Sequence, residues 1–211
     1  MNMAKTTAVK KADTSTEEKI KEAARTVFYK KGFAATRTRD IADEAGINLA
    51  LLNYYFRSKQ KLFDIIIVEA LARFVQNVQV VLNAGNTSLE EKIEQLAAHY
   101  IDFIIEEPEI PTFILTEVRN NPKELLTKLP VKEVLVNSVF FKQYREAVEQ
   151  GRITEPNPIH FLINLLGLVI FPFIAKPMLM EVNGFDTPEF NRLMLERKKL
   201  IPVWMKAMLD T

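Results

Sequence analysis

Residues 38–62, TRDIADEAGINLALLNYYFRSKQKL, constrain this chain more than any other stretch. Two short helical segments flank a glycine, and a third opens on Ser58-Lys59. A helix-turn-helix needs a small residue where its helices cross and a residue at ease with positive φ in the turn. It also needs inward apolar side chains at helical spacing. Ala42 meets the first need and Gly46 the second; Ile41, Ala45, Ile47, Leu52 and Phe56 meet the third. The pattern presents one helix to the major groove of double-stranded DNA.

With Leu52 inward, a turn of about 100° per residue puts Ala50 and Tyr54 on the far side and Asn53 at the flank. Asn53 is of the type that pairs with adenine N6 and N7, Ala50 allows close approach or touches a thymine methyl, and Arg39 suits guanine O6 and N7. Leu49 lies about 60° from the inward direction, where it serves packing as well as base contact. Asn48 reads as an N-cap first and a phosphate ligand second. Thr36 and Thr38 stand at the start of the second helix, whose free N–H groups favour an anion. Tyr54 and Tyr55 offer hydroxyls to phosphates. Lys59 sits in the first turn of a helix, where a cation opposes the dipole, and a nearby phosphate would offset that cost. Lys59 is therefore expected to be a phosphate clamp.

Charge agrees with a nucleic-acid module at the front. Net charge is +1, but residues 1–65 carry 13 Lys/Arg and 8 Asp/Glu (+5), and the rest carries 15 and 19 (−4). Residues 1–15 read as a flexible basic tail, with Lys5, Lys10 and Lys11 and no apolar signal-peptide core. There is no cysteine, which excludes disulfides and thiolate metal sites. His99 and His160 are too isolated to suggest a metal. No nucleophile elbow or phosphate loop points to an enzyme, and no cofactor is expected.

The expected fold is all-α, with a three-helix DNA-binding module followed by a helical bundle, about nine helices in total. Helices are expected near 16–32, 38–45, 49–55, 58–82, 89–107, 110–119, 123–150, 158–180 and 187–209. Ser88 and Glu91 form a capping-box signature. Pro130 and Pro202 are expected to kink or split their helices. The boundaries read as 16–62 for the DNA-binding domain and 63–211 for the remainder. Residues 156–175 carry no formal charge and reach membrane-spanning length. His160, Asn164 and the prolines favour a buried helix instead, and no membrane partner is expected.

The helix ending in Phe28 and Gly32-Phe33 is followed by Thr36-x-Thr38-x-Asp40-Ile41-Ala42 and by Ala45-Gly46-Ile47-Asn48. Tyr55-Phe56-x-Ser58-Lys59-x-x-Leu62 completes a set that resembles the TetR family of bacterial transcriptional regulators. Asn53 stands where many members have Tyr, and Ala50 where many have Gly or Pro. The resemblance implies a cytoplasmic homodimer formed through the helices near 158–180 and 187–209. It also implies a pocket for a small apolar or aromatic effector. Candidate lining residues are His99, Phe103, Phe113, Glu117, Phe140, Phe141, Tyr144, His160, Phe161 and Asn164. The expected function is a ligand-responsive repressor on a palindromic operator. The alternative is a DNA-binding architectural or protein-interaction factor with no effector.

Overall fold

The computed structural model describes residues 3–120, 122–123, 127 and 137–209, with only the backbone course for residues 3–14 and 117. Ten α-helices and no strand occur among the described residues. They are α1 (Met3–Ala35), α2 (Thr38–Glu44), α3 (Leu49–Tyr55), α4 (Lys59–Asn83) and α5 (Leu89–Glu106). Then come α6 (Ile110–Asn120), α7 (Val139–Glu149), α8 (Pro158–Ile174), α9 (Lys176–Asn183) and α10 (Thr187–Leu209). The backbone divides into two compact units, Met1–Ala70 and Leu71–Thr211, with the division inside α4.

In the first unit α1 buries Ile20, Ala23, Ala24, Val27 and Phe28, the apolar face read from the sequence. Its backbone leaves the helical region at Gly32 (φ 74°, ψ 162°), so glycine turns the chain where expected. Towards its N-terminus α1 reaches Met3 and takes in most of the segment read as a tail. The rings of Phe28, Phe33 and Phe63 meet at 4.7–6.0 Å between centroids and join α1 to α4. Around them Lys21 contacts Glu18 at 2.6 Å and Glu69 at 2.8 Å.

The second unit is a bundle in which α5 lies along α10, with α7, α8 and α9 around them. The capping box at α5 forms as read. Glu91 N donates to Ser88 Oγ at 3.1 Å, and Ser88 N donates to Glu91 Oε2 at 2.7 Å. Lys92 is fully buried, and its ammonium donates to Ala84 O, Thr87 O and Thr87 Oγ1 at 2.6–2.8 Å. All three of its donors are thereby satisfied, which is the condition for burying such a group.

Two of the expected helices are divided differently. Within the span expected as one helix over 123–150, Lys123 and Thr127 are helical, and a turn at 137–138 precedes α7, which starts at Val139 with Ser138 as its cap, accepting from Phe141 N at 3.3 Å. Residues 124–126 and 128–136, with Pro130, lie outside the described residues. The helix expected over 158–180 is two helices, α8 and α9, bent by 62° at Ala175. Pro177 has no N–H for the Phe173 carbonyl, so the ladder breaks and a new helix starts with proline in its first turn. α10 keeps its expected bounds, Thr187–Leu209, and does not split at Pro202.

Pro172 lies inside α8 and cannot donate to the carbonyl of Leu168. That carbonyl instead accepts from Arg197 of α10 at 2.8 Å, and the guanidinium also lies over the Trp204 ring, 5.0 Å from its centroid. Burial lowers the affinity of Arg197 for its proton relative to a free guanidinium. α4 is long and apolar enough to cross a membrane by length and composition alone. Two charged residues in its middle are engaged by protein, however. Glu69 accepts from Lys21, and Arg73 meets Glu107 at 3.3 Å. This is the behaviour of a core helix.

Candidate nucleic-acid interface

The turn between α2 and α3 is built by glycine geometry. Gly46 has φ +61°, the left-handed region that an L side chain adopts at a cost. Gly46 N donates to Asp43 O at 3.1 Å and Ile47 N to Ala42 O at 3.0 Å, which together form a Schellman motif. Asn48 then caps α3 by accepting from Leu51 N at 2.8 Å. Its first role is the one expected. Ile41, Ala42, Ala45, Leu52 and Phe56 are all buried, and Ile47 is half-buried. These inward residues fix which face of α3 points to solvent.

That outward face carries Ala50, Asn53 and Tyr54, with Tyr54 the most exposed at 76%. Leu49 is half-buried. Tyr54 and Tyr55 meet edge to face at 5.3 Å, so one ring steadies the other. A ridge only seven residues long, with an amide and a phenol projecting from it, has the size and the donors and acceptors to enter a major groove. α2 starts beside it. Asp40 closes its first turn by accepting from Arg37 N at 2.9 Å and meets Lys31 at 3.2 Å. The Arg37 N–H, and then Lys31, hold the Asp40 carboxyl below its ordinary range. This leaves Arg39 exposed and Thr38 half-exposed at the helix start.

Two expected clamps are placed differently. Thr36 is buried, and its hydroxyl donates to Gly32 O at 2.7 Å. It therefore closes the end of α1 and does not face a phosphate. The Lys59 ammonium donates to Phe33 O at 2.8 Å and Thr36 O at 2.9 Å, and it sits 4.2 Å from the Phe33 ring centroid. The dipole of its own helix repels this cation, as the sequence position implied, but the carbonyls of the α1–α2 segment attract it. Two exposed cations were missed in the sequence: Arg37, the N-cap of α2, and Arg57, next to Ser58, whose Oγ accepts from Lys61 N at 3.1 Å to start α4. Their position just ahead of helix starts was the available signal.

The expected effector residues do not form one cavity. Phe140, Tyr144 and Phe161 are buried, and with Phe141 they pack ring against ring at 5.2–6.4 Å, which leaves no space between them. His99, His160 and Asn164 are exposed, and Phe113 is buried. The side chain of Glu117 lies outside the described residues. Phe103 stacks on Phe74 at 4.2 Å and borders a small apolar cavity of about 20 Å³. A larger cavity, about 690 Å³, lies elsewhere, between α5, α10 and the turn after α7. Aromatic residues signalled core because they fill volume well. A void depends on how helices diverge, which periodicity does not encode.

A Schellman turn, a capped seven-residue helix and its exposed polar ridge define a helix-turn-helix DNA-binding protein. The family of bacterial regulatory proteins, tetR family, matches at residues 20–66, the span of this module. The "Probable HTH-type transcriptional regulator YttP" of Bacillus subtilis is 25% identical over 203 residues, covering 93% of this chain and 95% of that protein. The HTH-type transcriptional repressor NicS of Pseudomonas putida is 33% identical over 102 residues, 48% of each chain. The structure of the transcriptional regulator FadR from Bacillus subtilis in complex with stearoyl-CoA superposes with a TM-score of 0.59 at 16% identity, covering 90% of this chain and 98% of that one. Residues 20–66 thus form a module of the tetR type, and the chain is a DNA-binding transcriptional regulator.

Proposed function

We propose that this regulator is an effector-controlled repressor that binds a palindromic operator as a homodimer. The observation that carries the dimer is an apolar surface along α8 and α10. On α8, Ile159, Ile163, Leu166, Phe171 and Ile174 are 37–61% exposed, and on α10 Leu193, Leu200 and Met208 are 38–43% exposed. An apolar surface of this extent needs a cover, and a second copy provides it with two-fold symmetry. Two recognition helices then read two half-sites. The name of NicS supports repression, and the stearoyl-CoA in the FadR complex supports a small-molecule effector. An effector acts by binding one conformation of the dimer more tightly than another.

On the DNA, Ala50, Asn53 and Tyr54 face the bases, and Arg37, Thr38, Arg39, Tyr55 and Arg57 face phosphates. Arg39 also lies within reach of a base edge. The test is sedimentation equilibrium of the wild-type protein and of Ile163→Glu/Phe171→Glu, with operator binding measured in parallel. Both positions are more than half exposed, so the monomer keeps its fold. The expected result is a wild-type dimer and a monomeric variant with weakened operator binding. A wild-type monomer that binds a palindrome as tightly as a single half-site would refute the reading.

A further inference from the structure

We infer that the cavity between α5, α10 and the turn after α7 binds an amphipathic anion, an aliphatic or aromatic body carrying one carboxylate-like head. The cavity measures about 690 Å³, within the range of small-molecule sites. Its apolar surface comes from Leu89 and Ile93 of α5, Ile153 of the turn, and Val203 and Leu209 of α10. The wall on the α10 side is cationic, with Lys198, Lys199 and Lys206, and Arg152 joins it from the turn.

These cations are not equivalent. Lys198 pairs with Asp102. Arg152 Nε donates to the Gln150 side chain at 3.0 Å, not to an acid. Among the described residues Lys199 and Lys206 have no acidic partner. The α5 wall carries Glu90 and Glu94, and Glu90 lies in the first turn of its helix, where the dipole favours a carboxylate. An anionic head therefore belongs on the α10 side, against Lys199, Lys206 and Arg152, with the apolar body directed towards Ile93 and Ile153.

The site is built by the fold. Gly151 has φ +70°, and Arg152 N donates to Ala147 O at 2.9 Å in a Schellman turn. Thr154 N donates to Leu209 O at 3.2 Å, which fastens this turn to the end of α10. Arg152 is thus held on the lining of the cavity that Lys206 also borders. The proposed dimer surface does not cover the cavity. At about 100° per residue, Lys199, Pro202 and Lys206 lie roughly 100° or more around α10 from Leu193, Leu200 and Met208. The ligand class rests on the cavity alone. Its consequence for DNA rests on the effector-controlled reading above.

The test titrates the dimer with decanoate, decylamine and decan-1-ol below their micelle concentrations, by isothermal calorimetry. Decanoate is expected to bind best. In Lys199→Gln/Lys206→Gln its affinity falls about tenfold, as for the loss of two exposed ion pairs, and decanol is unaffected. Val203→Trp narrows the cavity and weakens decanoate and decanol together. Unchanged circular dichroism and operator binding confirm that these surface variants fold. Equal binding of the three probes, or decanoate binding that ignores both variants, overturns the inference. Operator release is read separately with saturating decanoate. Binding without release keeps the site and refutes its role as the effector switch; no binding refutes the site and leaves the DNA-binding reading intact.

Discussion

Lys59→Met retains the aliphatic stem and removes the ammonium. The wild-type ammonium makes two bonds to carbonyls, at 2.8 and 2.9 Å, and lies 4.2 Å from the Phe33 ring centroid. A hydrogen bond to a charged group contributes about 1.5–3 kcal/mol, and an exposed cation–π contact about 0.5–1 kcal/mol. The lower ends apply because Lys59 is only half-buried and water can reach the freed carbonyls. Removing a cation from the first turn of α4 returns about 0.3 kcal/mol. The net expectation is a loss of about 2–4 kcal/mol, a large share of the stability of a small domain. Urea unfolding followed by far-ultraviolet circular dichroism measures the loss, and amide exchange at residues 33–38 locates it. The salt dependence of operator binding, measured where the variant is folded, should be unchanged. A variant as stable as wild type, with a log–log salt slope shallower by about 0.9 for each phosphate no longer neutralised, would refute the reasoning. Lys59 would then be the phosphate clamp that its sequence position first suggested.

Three other outcomes follow from the geometry. Arg197→Met should destabilise the second unit by about 1–3 kcal/mol, because it leaves the Leu168 carbonyl without a donor. In a Pro172→Ala background the helix supplies that donor itself, so the double-mutant cycle should show coupling of at least about 0.5 kcal/mol; additive effects contradict the assignment. Asn53→Ala should leave stability unchanged and cost about 1–3 kcal/mol at one base pair per half-site, with fluorescence anisotropy on a set of single-base operator variants as the assay. Equal loss on every sequence removes Asn53 from base reading. The Asp40 carboxyl titrates below its ordinary range in the folded state, so its contribution to the start of α2 is complete above an unfolded pKa of about 3.9 and fades as pH falls through the lower folded value. Stability curves of wild type and Asp40→Asn should therefore differ at neutral pH and converge in acid, and a constant difference argues against the linkage.

The sequence alone determined the local elements whose causes are local. Gly46 ends α2 because only glycine takes its φ without cost, and Ser88 with Glu91 starts α5 because two side chains satisfy two backbone donors three residues apart. The exposed ridge of Ala50, Asn53 and Tyr54 followed from periodicity once Leu52 pointed inward. Tertiary structure decided whatever depended on a partner distant in the chain. It turned Lys59 to the carbonyls of Phe33 and Thr36, buried the hydroxyl of Thr36 and supplied Arg197 to the carbonyl that Pro172 cannot serve. It also packed the aromatic residues near 140–161 into core and opened the cavity between α5 and α10 instead. The division has one physical reason. A cap or a turn is set within a few residues, whereas the fate of a cation or a void depends on which surfaces the rest of the chain brings beside it.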